Sequence, residues 1–224
     1  MPHLYLVRHG QPDFAGNYDS ITDLGGRQSG WLGQHFAANG LAFDRIVSGT
    51  LQRQVATLER IAAALPGPVR GSQDAHLNEY DHLGLLQLFE GDRLPALRAA
   101  GDRRGYFLAI RRALERWSRH DGPLGALASW TDFAARIEAG MAAACAGLPR
   151  DARVLVVSSG GVIGCYTAAV LGADADTAIQ LNLQIRNTSV TEVLRPHSAP
   201  ARLVSFNAIP HLERPDRREA ITHS

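Results

Sequence analysis

The chain has 224 residues, 45% of them hydrophobic and 20% charged, which suits one α/β domain with a sizeable core. Its formal net charge of +1 gives no reason to expect a nucleic acid or an anionic membrane as a partner. All 23 basic residues are arginine, so the absence of lysine excludes Schiff-base chemistry and a P-loop lysine.

The cysteines and the apolar runs set the expected compartment. Cys145 and Cys165 lie in apolar stretches without metal-ligand spacing, which favours buried free thiols over a metal site. No apolar run is long enough to span a bilayer, and the N-terminus lacks the pattern of a signal peptide. We therefore expect a cytoplasmic protein without membrane attachment, whose oligomeric state the sequence leaves open.

Apolar runs alternate with helix-period segments along the first half of the chain. The run at 4–7 predicts a buried strand, and apolar spacing predicts a helix at 23–38 that an Asn-Gly pair closes. The next predicted elements are a strand at 43–47, a helix at 51–65, a strand leading into a loop within 69–77, and a polar cluster at 78–90.

The second half of the chain continues this alternation. A helical insert over the sheet is predicted at 91–125, and Ser129 is the expected N-cap of a helix at 130–146. The further predicted elements are an amphipathic helix at 106–118 within the insert, an apolar strand at 153–157, a helix from 160 or 161 through 171, and antiparallel strands at 189–194 and 202–205.

This order of elements predicts a three-layer α/β/α fold, with a mostly parallel, doubly wound sheet and a small helical insert. One domain is expected over 1–213. The charged segment at 214–224 is expected to be a loose tail.

An arginine, a histidine and a glycine follow the first apolar run directly. Arg8 and His9 are expected at the carboxyl end of that strand, where open α/β sheets place their ligands. The donor fork of Arg8 suits phosphate oxygens, and a neutral imidazole at His9 can attack phosphorus. Gly10 lets the backbone and a substrate approach closely. The strand and this tripeptide resemble the histidine phosphatase superfamily, also called the phosphoglycerate mutase-like family.

A second segment resembles the family block in which a strand ends in Ser and a helix begins with Leu-x-Arg, followed by Thr. It runs from Ile46 to Thr57, with Ser48, Leu51 and Arg53 in the matching places. On this resemblance Arg53 is the second phosphate-binding arginine. Its place in the first turn of a helix adds backbone donors and the helix dipole, both of which favour an anion.

The Leu-Asn-Glu run that ends at Glu79 resembles the family's Leu-x-Glu block, which makes Glu79 the candidate general acid. A carboxyl group donates a proton near neutral pH only where burial or a neighbouring anion raises its pKa. Asp81 is the alternative acid, two positions outside the match. His82 is a candidate pocket residue, with a surface position as the alternative.

The fourth segment departs from the family at one position. Ser158, Ser159, Gly160 and Gly161 follow the strand at 153–157, and the family has its second active-site histidine where Ser159 stands. A serine hydroxyl gives a neutral hydrogen bond, and losing one preorganised donor costs on the order of 10²–10³ in rate. Ser159 and Gly160 are candidate phosphate-binding residues at a helix start, with an ordinary N-cap as the alternative for Ser159.

Other positions carry less chemistry. Gln11 stands where the family commonly has Gln or Glu, and we interpret it as a possible pocket residue together with Gly10 and His82. Three C-terminal residues resemble recurring family positions and are interpreted as structural turn residues or pocket-rim groups: Asn187, Asn207 and His211. Four arginines of the insert either attract a second acidic group or form a solvated helix face: Arg103, Arg104, Arg111 and Arg112.

The resemblance implies phosphoryl transfer through a phosphohistidine, without a metal or a nucleotide cofactor. His9 would attack phosphorus with one ring nitrogen while the other donates to a backbone carbonyl. Arg8 and Arg53 would hold the phosphoryl oxygens, and Glu79 would protonate the leaving alcohol. The leading interpretation is a phosphomonoester hydrolase of a small-molecule substrate, slower than members with two histidines. The alternatives are a phosphate-ester-binding protein without useful catalysis and a phosphoglycerate mutase.

Overall fold

The computed structural model describes residues 1–14, 16–67, 71–93, 95–96, 103–122, 124–196 and 198–223. The start of the strand predicted within 69–77, parts of the insert predicted at 91–125 and the last residue of the tail lie outside this set.

The described residues form one six-stranded sheet with the strand order β3-β2-β4-β1-β5-β6. Strands β3, β2, β4 and β1 run parallel, whereas β5 lies antiparallel to both β1 and β6. The strands are β1 (His3–Arg8), β2 (Arg45–Ser48), β3 (Gly71–Gln73), β4 (Arg153–Ser158), β5 (Val190–Leu194) and β6 (Arg202–Ala208).

Seven α-helices of eight or more residues flank this sheet in the described part of the chain. They are α1 (Asp23–Ala38), α2 (Gln52–Ala62), α3 (His82–Glu90), α4 (Arg103–Ser118), α5 (Trp130–Cys145), α6 (Gly160–Val170) and α7 (Ala175–Asn182). Short 3₁₀ turns lie at Ala75–Leu77, Gly91–Arg93 and Pro215–Ala220.

The two faces of the sheet are covered by different helices, because side chains alternate along each strand. On β1, Tyr5 and Val7 pack with residues of α1 and α2. Leu4 and Leu6 pack on the opposite face with residues of α5, α6 and the helical insert. The predicted three-layer α/β/α fold is therefore confirmed.

The register of the central strands brings their carboxyl ends to one edge. Arg8 of β1 lies opposite Ser158 of β4, and Ser48 of β2 lies opposite Val157. The turns after these three strands consequently start side by side. This edge is where an open α/β sheet binds its ligands.

Side-chain caps mark the starts of four of the helices, two predicted and two missed. Helix α1 has the predicted bounds, since the Thr22 side chain accepts from Gly25 N and the chain turns at Gly40 with a φ of +64°. Ser129 caps α5 by accepting from Asp132 N, as expected. Helices α3 and α7 were not predicted; their caps are Asp81 and Asp174, whose side chains accept from backbone N–H groups three residues on.

The C-terminal segment contacts the domain at Arg217, Ala220 and Thr222, so the tail expected to be loose at 214–224 is held at these three residues. Gln28 Nε2 donates to Ala220 O (2.7 Å) and to Thr222 Oγ1 (2.9 Å). Asn187 N donates to Thr222 O at 3.1 Å. The tail is held because these buried amides of the domain need acceptors, which the charge pattern of the tail does not reveal.

No helix among the described residues is long and apolar enough to cross a membrane. Cys145 and Cys165 are both free and buried, as predicted. Burial raises the pKa of the Cys165 thiol to about 11, which suits a packed side chain.

His211 is buried without a partner for one ring nitrogen. Thr188 Oγ1 donates to Asn187 O at 2.7 Å, so it accepts from His211 Nε2 at 2.9 Å. Nδ1 has no partner among the described residues. Burial, with the nearby positive charge of Arg217, lowers the pKa of His211 to about 3. The burial of His211 favours the structural one of the two interpretations made from the sequence.

Acidification should destabilise the protein through His211. In the unfolded chain a histidine titrates near pH 6.5, so between pH 6.5 and 3 the unfolded state binds a proton that the folded state does not. The free energy of unfolding should therefore decrease as the pH is lowered. The contribution of His211 to this decrease should be about 2 kcal/mol between pH 7 and pH 5. His211→Gln, which keeps a donor for Thr188, should show less of this loss in urea titrations than the exposed control His120→Gln. Equal losses in the two variants would contradict the prediction.

Candidate active site at the carboxyl edge of the sheet

Four segments that are distant in the chain meet at the carboxyl edge of the sheet. They are the turn after β1, the start of α2, the loop before α3 and the start of α6. The structure brings the following predicted site residues together there: Arg8, His9, Gly10, Arg53, Glu79, His82, Ser159 and Gly160.

His9 is fixed in one orientation and one tautomer. Its backbone N donates to Ser158 O at 2.9 Å, and its carbonyl accepts from Asn187 Nδ2 at 3.1 Å. Nδ1 lies 2.8 Å from Gly10 O, and a carbonyl oxygen only accepts, so the proton is on Nδ1. Burial, and then the charges of Arg8 and Arg53, hold the pKa of His9 well below its usual value. His9 is therefore neutral, with the lone pair on Nε2.

The turn after His9 is packed closely against α1. Gly10 N donates to Thr57 Oγ1 at 2.9 Å, and a Cβ at Gly10 would lie 2.5 Å from Gly25 O. Glycine is therefore required at this position. Gln11 bonds with Thr22 and Gln28 of the α1 region, which places it in the support of this turn.

Arg53 lies beside the unprotonated nitrogen of His9. Its Nε donates to His9 Nε2 at 3.3 Å, and Nη1 donates to Asp19 Oδ1 at 2.8 Å. The guanidinium carbon is 4.9 Å from the ring centroid of Tyr18. Asp19 Oδ2 also accepts from Gln52 N at 3.1 Å, so this carboxylate contacts the start of α2 as well. Sequence reasoning missed both Tyr18 and Asp19, which lie in a polar loop without a motif.

Arg8 approaches the same point from the other side. It is 5% exposed and donates through Nη1 to Ile185 O. Its Nε has no partner among the described residues, and its Cζ lies 3.7 Å from the Cβ position of Gly160. The buried guanidinium thus adjoins the N-terminus of α6, which itself favours an anion.

Glu79 is held by backbone donors near the start of α6. Its Oε2 accepts from Gly161 N at 3.0 Å, and its Oε1 accepts from Tyr80 N at 3.2 Å. Burial nevertheless raises the pKa of Glu79 above its usual value, which favours a carboxyl group that can carry a proton. The alternative acid, Asp81, is exposed and is engaged in capping α3.

His82 lies near Tyr18 and Arg53. Its ring centroid is 5.1 Å from that of Tyr18, which is also 5.1 Å from the exposed Phe14. Burial, and then the charge of Arg53, lower the pKa of His82. His82 and Phe14 thus both contact the Tyr18 ring, which in turn lies against the Arg53 guanidinium. This position is compatible with the pocket role expected for His82.

Ser159 occupies the N-cap position of α6, but its side chain does not accept from the helix. Its Oγ accepts instead from Gln54 Nε2 at 2.8 Å, and both side chains are fully buried. Ser159 thus stands at the N-cap position of the alternative interpretation, but without the side-chain hydrogen bond that an ordinary cap makes. Gln54 was missed by sequence reasoning, because nothing local links positions that are 105 residues apart.

Two of the four insert arginines form ion pairs with nearby carboxylates. Arg111 Nε donates to Glu115 at 2.9 Å, and Arg112 Nη2 donates to the buried Glu90 at 2.7 Å. The side chain of Arg103 lies outside the described set. Within the described part of the chain, no three His, Cys, Asp or Glu side chains are grouped so that they could hold a metal ion.

A neutral buried histidine between two arginines, at the carboxyl edge of such a sheet, defines a site suited to phosphoryl chemistry. The family model described as "Histidine phosphatase superfamily (branch 1)" matches residues 4–209. The chain belongs to the histidine phosphatase superfamily.

Individual relatives agree with this assignment. The probable phosphoglycerate mutase GpmB of Salmonella choleraesuis is 30% identical over 200 residues, which cover 86% of this chain and 85% of that protein. A mycobacterial glucosyl-3-phosphoglycerate phosphatase, solved with inorganic phosphate, has a TM-score of 0.67 at 25% identity, covering 94% of this chain and 99% of that one. The phosphoserine phosphatase of Entamoeba histolytica, solved with 3-phosphoglyceric acid, shares the fold at 21% identity with a TM-score of 0.67, over 95% and 100% of the two chains.

Proposed function

We propose that this protein is a metal-independent phosphomonoester hydrolase that acts through a phosphohistidine on His9. The observation that carries the proposal is the unprotonated His9 Nε2, which lies 3.3 Å from Arg53 Nε and is buried beside Arg8. A neutral imidazole is a nucleophile, and the two guanidinium groups supply the charge that attracts a phosphate ester to it.

In the first step, Nε2 attacks phosphorus in line as the bond from phosphorus to the leaving oxygen breaks. Arg8 and Arg53 bind the equatorial oxygens, and Glu79 gives its proton to the leaving alcohol. In the second step, water attacks the phosphohistidine and loses a proton to the Glu79 carboxylate. The products are inorganic phosphate and the alcohol, and both His9 and Glu79 return to their starting states.

Ser159 sets the expected rate. It contributes one neutral hydroxyl where family members with two histidines have an imidazole. We therefore propose a hydrolase slower than those members by on the order of 10²–10³, with the start of α6 and Arg8 supplying the remaining donors.

The named relatives support two reactions of the same site. The phosphatases solved with inorganic phosphate and 3-phosphoglyceric acid support a small phosphate ester as the substrate and water as the acceptor. The relative named a probable phosphoglycerate mutase supports an alternative in which a second alcohol of the substrate takes the phosphoryl group from His9. A phosphate-ester-binding protein without turnover is the third possibility.

One labelling experiment separates these three functions. The protein is incubated with ³²P-labelled 3-phosphoglycerate, and portions are quenched in alkali and in acid. A hydrolase gives inorganic phosphate and a base-stable, acid-labile label on the protein, as expected for phosphohistidine. Formation of 2-phosphoglycerate identifies a mutase. Binding in calorimetry without label transfer or product, for this and for p-nitrophenyl phosphate, rejects the proposed enzyme.

Glu79→Gln should affect kcat/KM according to the leaving group. For an alkyl phosphate, loss of the proton donor should lower kcat/KM by on the order of 10²–10³, and the decline of activity above the raised pKa of Glu79 should disappear. For p-nitrophenyl phosphate the loss should be much smaller, because nitrophenolate leaves without a proton. Glu59→Gln, on the exposed side of α2, is the control. Equal losses for both substrates would show that Glu79 is not the acid.

A further inference from the structure

Gln54 is a buried amide that joins α2 to the position of the missing histidine. It follows Arg53 directly and is fully buried. Its Nε2 donates to Ser159 Oγ at 2.8 Å and to Leu77 O at 3.3 Å. Gln54 thus connects Ser159 with the Leu77 carbonyl at the start of the loop that carries Glu79.

In the hydrogen bond between Gln54 and Ser159, the amide must be the donor and the hydroxyl the acceptor. Leu77 O is a carbonyl and can only accept, so the nitrogen of the Gln54 amide must face it. The second N–H of the same nitrogen then points to Ser159, whose Oγ must accept. Because Gln54 cannot take the hydroxyl hydrogen of Ser159 in this arrangement, that hydrogen is available to another acceptor.

The surroundings of Ser159 offer such an acceptor when a phosphoryl group is bound. The preceding residue, Ser158, accepts from His9 N at 2.9 Å, and the following residue, Gly160, has its Cβ position 3.7 Å from Arg8 Cζ. Ser159 therefore lies on the turn between the nucleophile and a phosphate-binding arginine. A hydroxyl hydrogen on this turn can be directed to a phosphoryl oxygen.

The oxygen of the Gln54 side-chain amide lies in an unfavourable environment. Gln54 Oε1 is buried and has no partner among the described residues. A Cβ at Gly49 would lie only 1.9 Å from this oxygen, so glycine at that position leaves the room for the amide. A buried oxygen without a protein partner is unfavourable for folding, so the position of this amide calls for an explanation.

We propose that Gln54 is a positioning residue that makes Ser159 a hydrogen-bond donor to the phosphoryl group, and that the two side chains together occupy the place of the second imidazole. This inference rests on the proposed phosphoryl-transfer function. It deepens that function by stating how the altered site still contacts the transferring group.

The proposal has a steric consequence for restoring the histidine. Gln54 reaches to hydrogen-bond distance of Ser159 Oγ, and both side chains have no exposed surface. An imidazole at 159 is larger than the hydroxyl by four heavy atoms and would compete with the amide for the same volume. Ser159→His alone should therefore not raise kcat, whereas the double variant Gln54→Ala/Ser159→His should exceed both Ser159→His and Gln54→Ala by tenfold or more.

A double-mutant cycle tests the positioning role. Gln54→Met fills nearly the same volume without N–H donors, and Ser159→Ala removes the hydroxyl. Each should lower kcat for p-nitrophenyl phosphate by on the order of 10² with little change in KM, and the double variant should be no slower than Ser159→Ala. Glu59→Ala, which removes an exposed side chain from the same helix, should match the parent. Thermal unfolding of every variant identifies losses that come from misfolding.

Independent losses that multiply in the double variant would overturn the inference, as would full activity of Gln54→Met. An inactive parent would instead count against the proposed function. In that case the parent, Gln54→Met, Ser159→Ala and the double variant Gln54→Met/Ser159→Ala are titrated with vanadate by calorimetry. This oxyanion mimics the transferring phosphoryl group. Coupled losses of vanadate affinity then support the Gln54–Ser159 pair, and independent or absent losses reject it.

Discussion

Replacing His9 by alanine is expected to lower kcat for phosphate-ester hydrolysis by on the order of 10⁴ or more, since no covalent intermediate can then form. Among the described residues, no other imidazole nitrogen accepts from Arg53 Nε, whereas His9 Nε2 is unprotonated and does so. Inorganic phosphate should still bind, because Arg8 and Arg53 remain. The base-stable protein label should disappear together with turnover.

The matched control for this loss is His120→Ala, which removes an exposed histidine far along the chain and should leave turnover unchanged. His9→Gln separates chemistry from packing, because its amide oxygen can still accept from Arg53 while it cannot form a stable phosphoenzyme. Both His9 variants should be inactive and folded. Turnover of His9→Ala equal to that of the parent would remove the basis of the proposed mechanism.

The layers of the fold were predictable because local patterns determine them. The apolar run at the start of the chain forms β1, and β4 was predicted at nearly its observed bounds. Helix α1 was predicted at its observed bounds because clear start and stop signals flank it. The two missed helices, α3 and α7, are nine and eight residues long, and their Asp caps are also common in polar loops.

The candidate site was predictable where a residue stands at a strand or helix end within a recognisable block. Arg8, His9, Arg53 and Glu79 are of this kind, and the structure brings them together. The residues that orient them were not predictable, because their partners are remote in the chain. Asp19 contacts Arg53 across 34 residues, Gln54 contacts Ser159 across 105, and Asn187 contacts His9 across 178.

These remote contacts explain why a substitution at one block need not erase the site. On the resemblance, a serine at 159 in place of the second histidine changes one donor, whereas the neutral state of His9 depends on burial and on two arginines from different elements. A buried neutral imidazole beside fixed positive charge keeps its nucleophilic nitrogen free of a proton even in mild acid. On the proposed function, we therefore expect phosphoryl transfer to depend more on Arg8 and Arg53 than on position 159.

Arg53→Ala is accordingly expected to lower kcat/KM by on the order of 10²–10³ and to change its pH dependence. The rate falls because one charged donor to the phosphoryl oxygens is lost. Since the Arg53 charge lowers the pKa of His9, its removal should raise that pKa. Activity, which requires neutral His9, should then be lost at a higher pH on the acid side than in the parent.

The control for Arg53 is Arg60→Ala, which removes an exposed arginine from the same helix and the same formal charge from the chain. Profiles of kcat/KM from pH 4 to 8 for the three proteins distinguish the two effects of Arg53. A lower rate with an unmoved acid limb would mean that Arg53 binds phosphate without controlling the protonation of His9. An unchanged rate would mean that Arg8 and the start of α6 hold the phosphoryl group alone. The expected combination, a lower rate and a shifted limb, is what a guanidinium in direct contact with the nucleophilic nitrogen should produce.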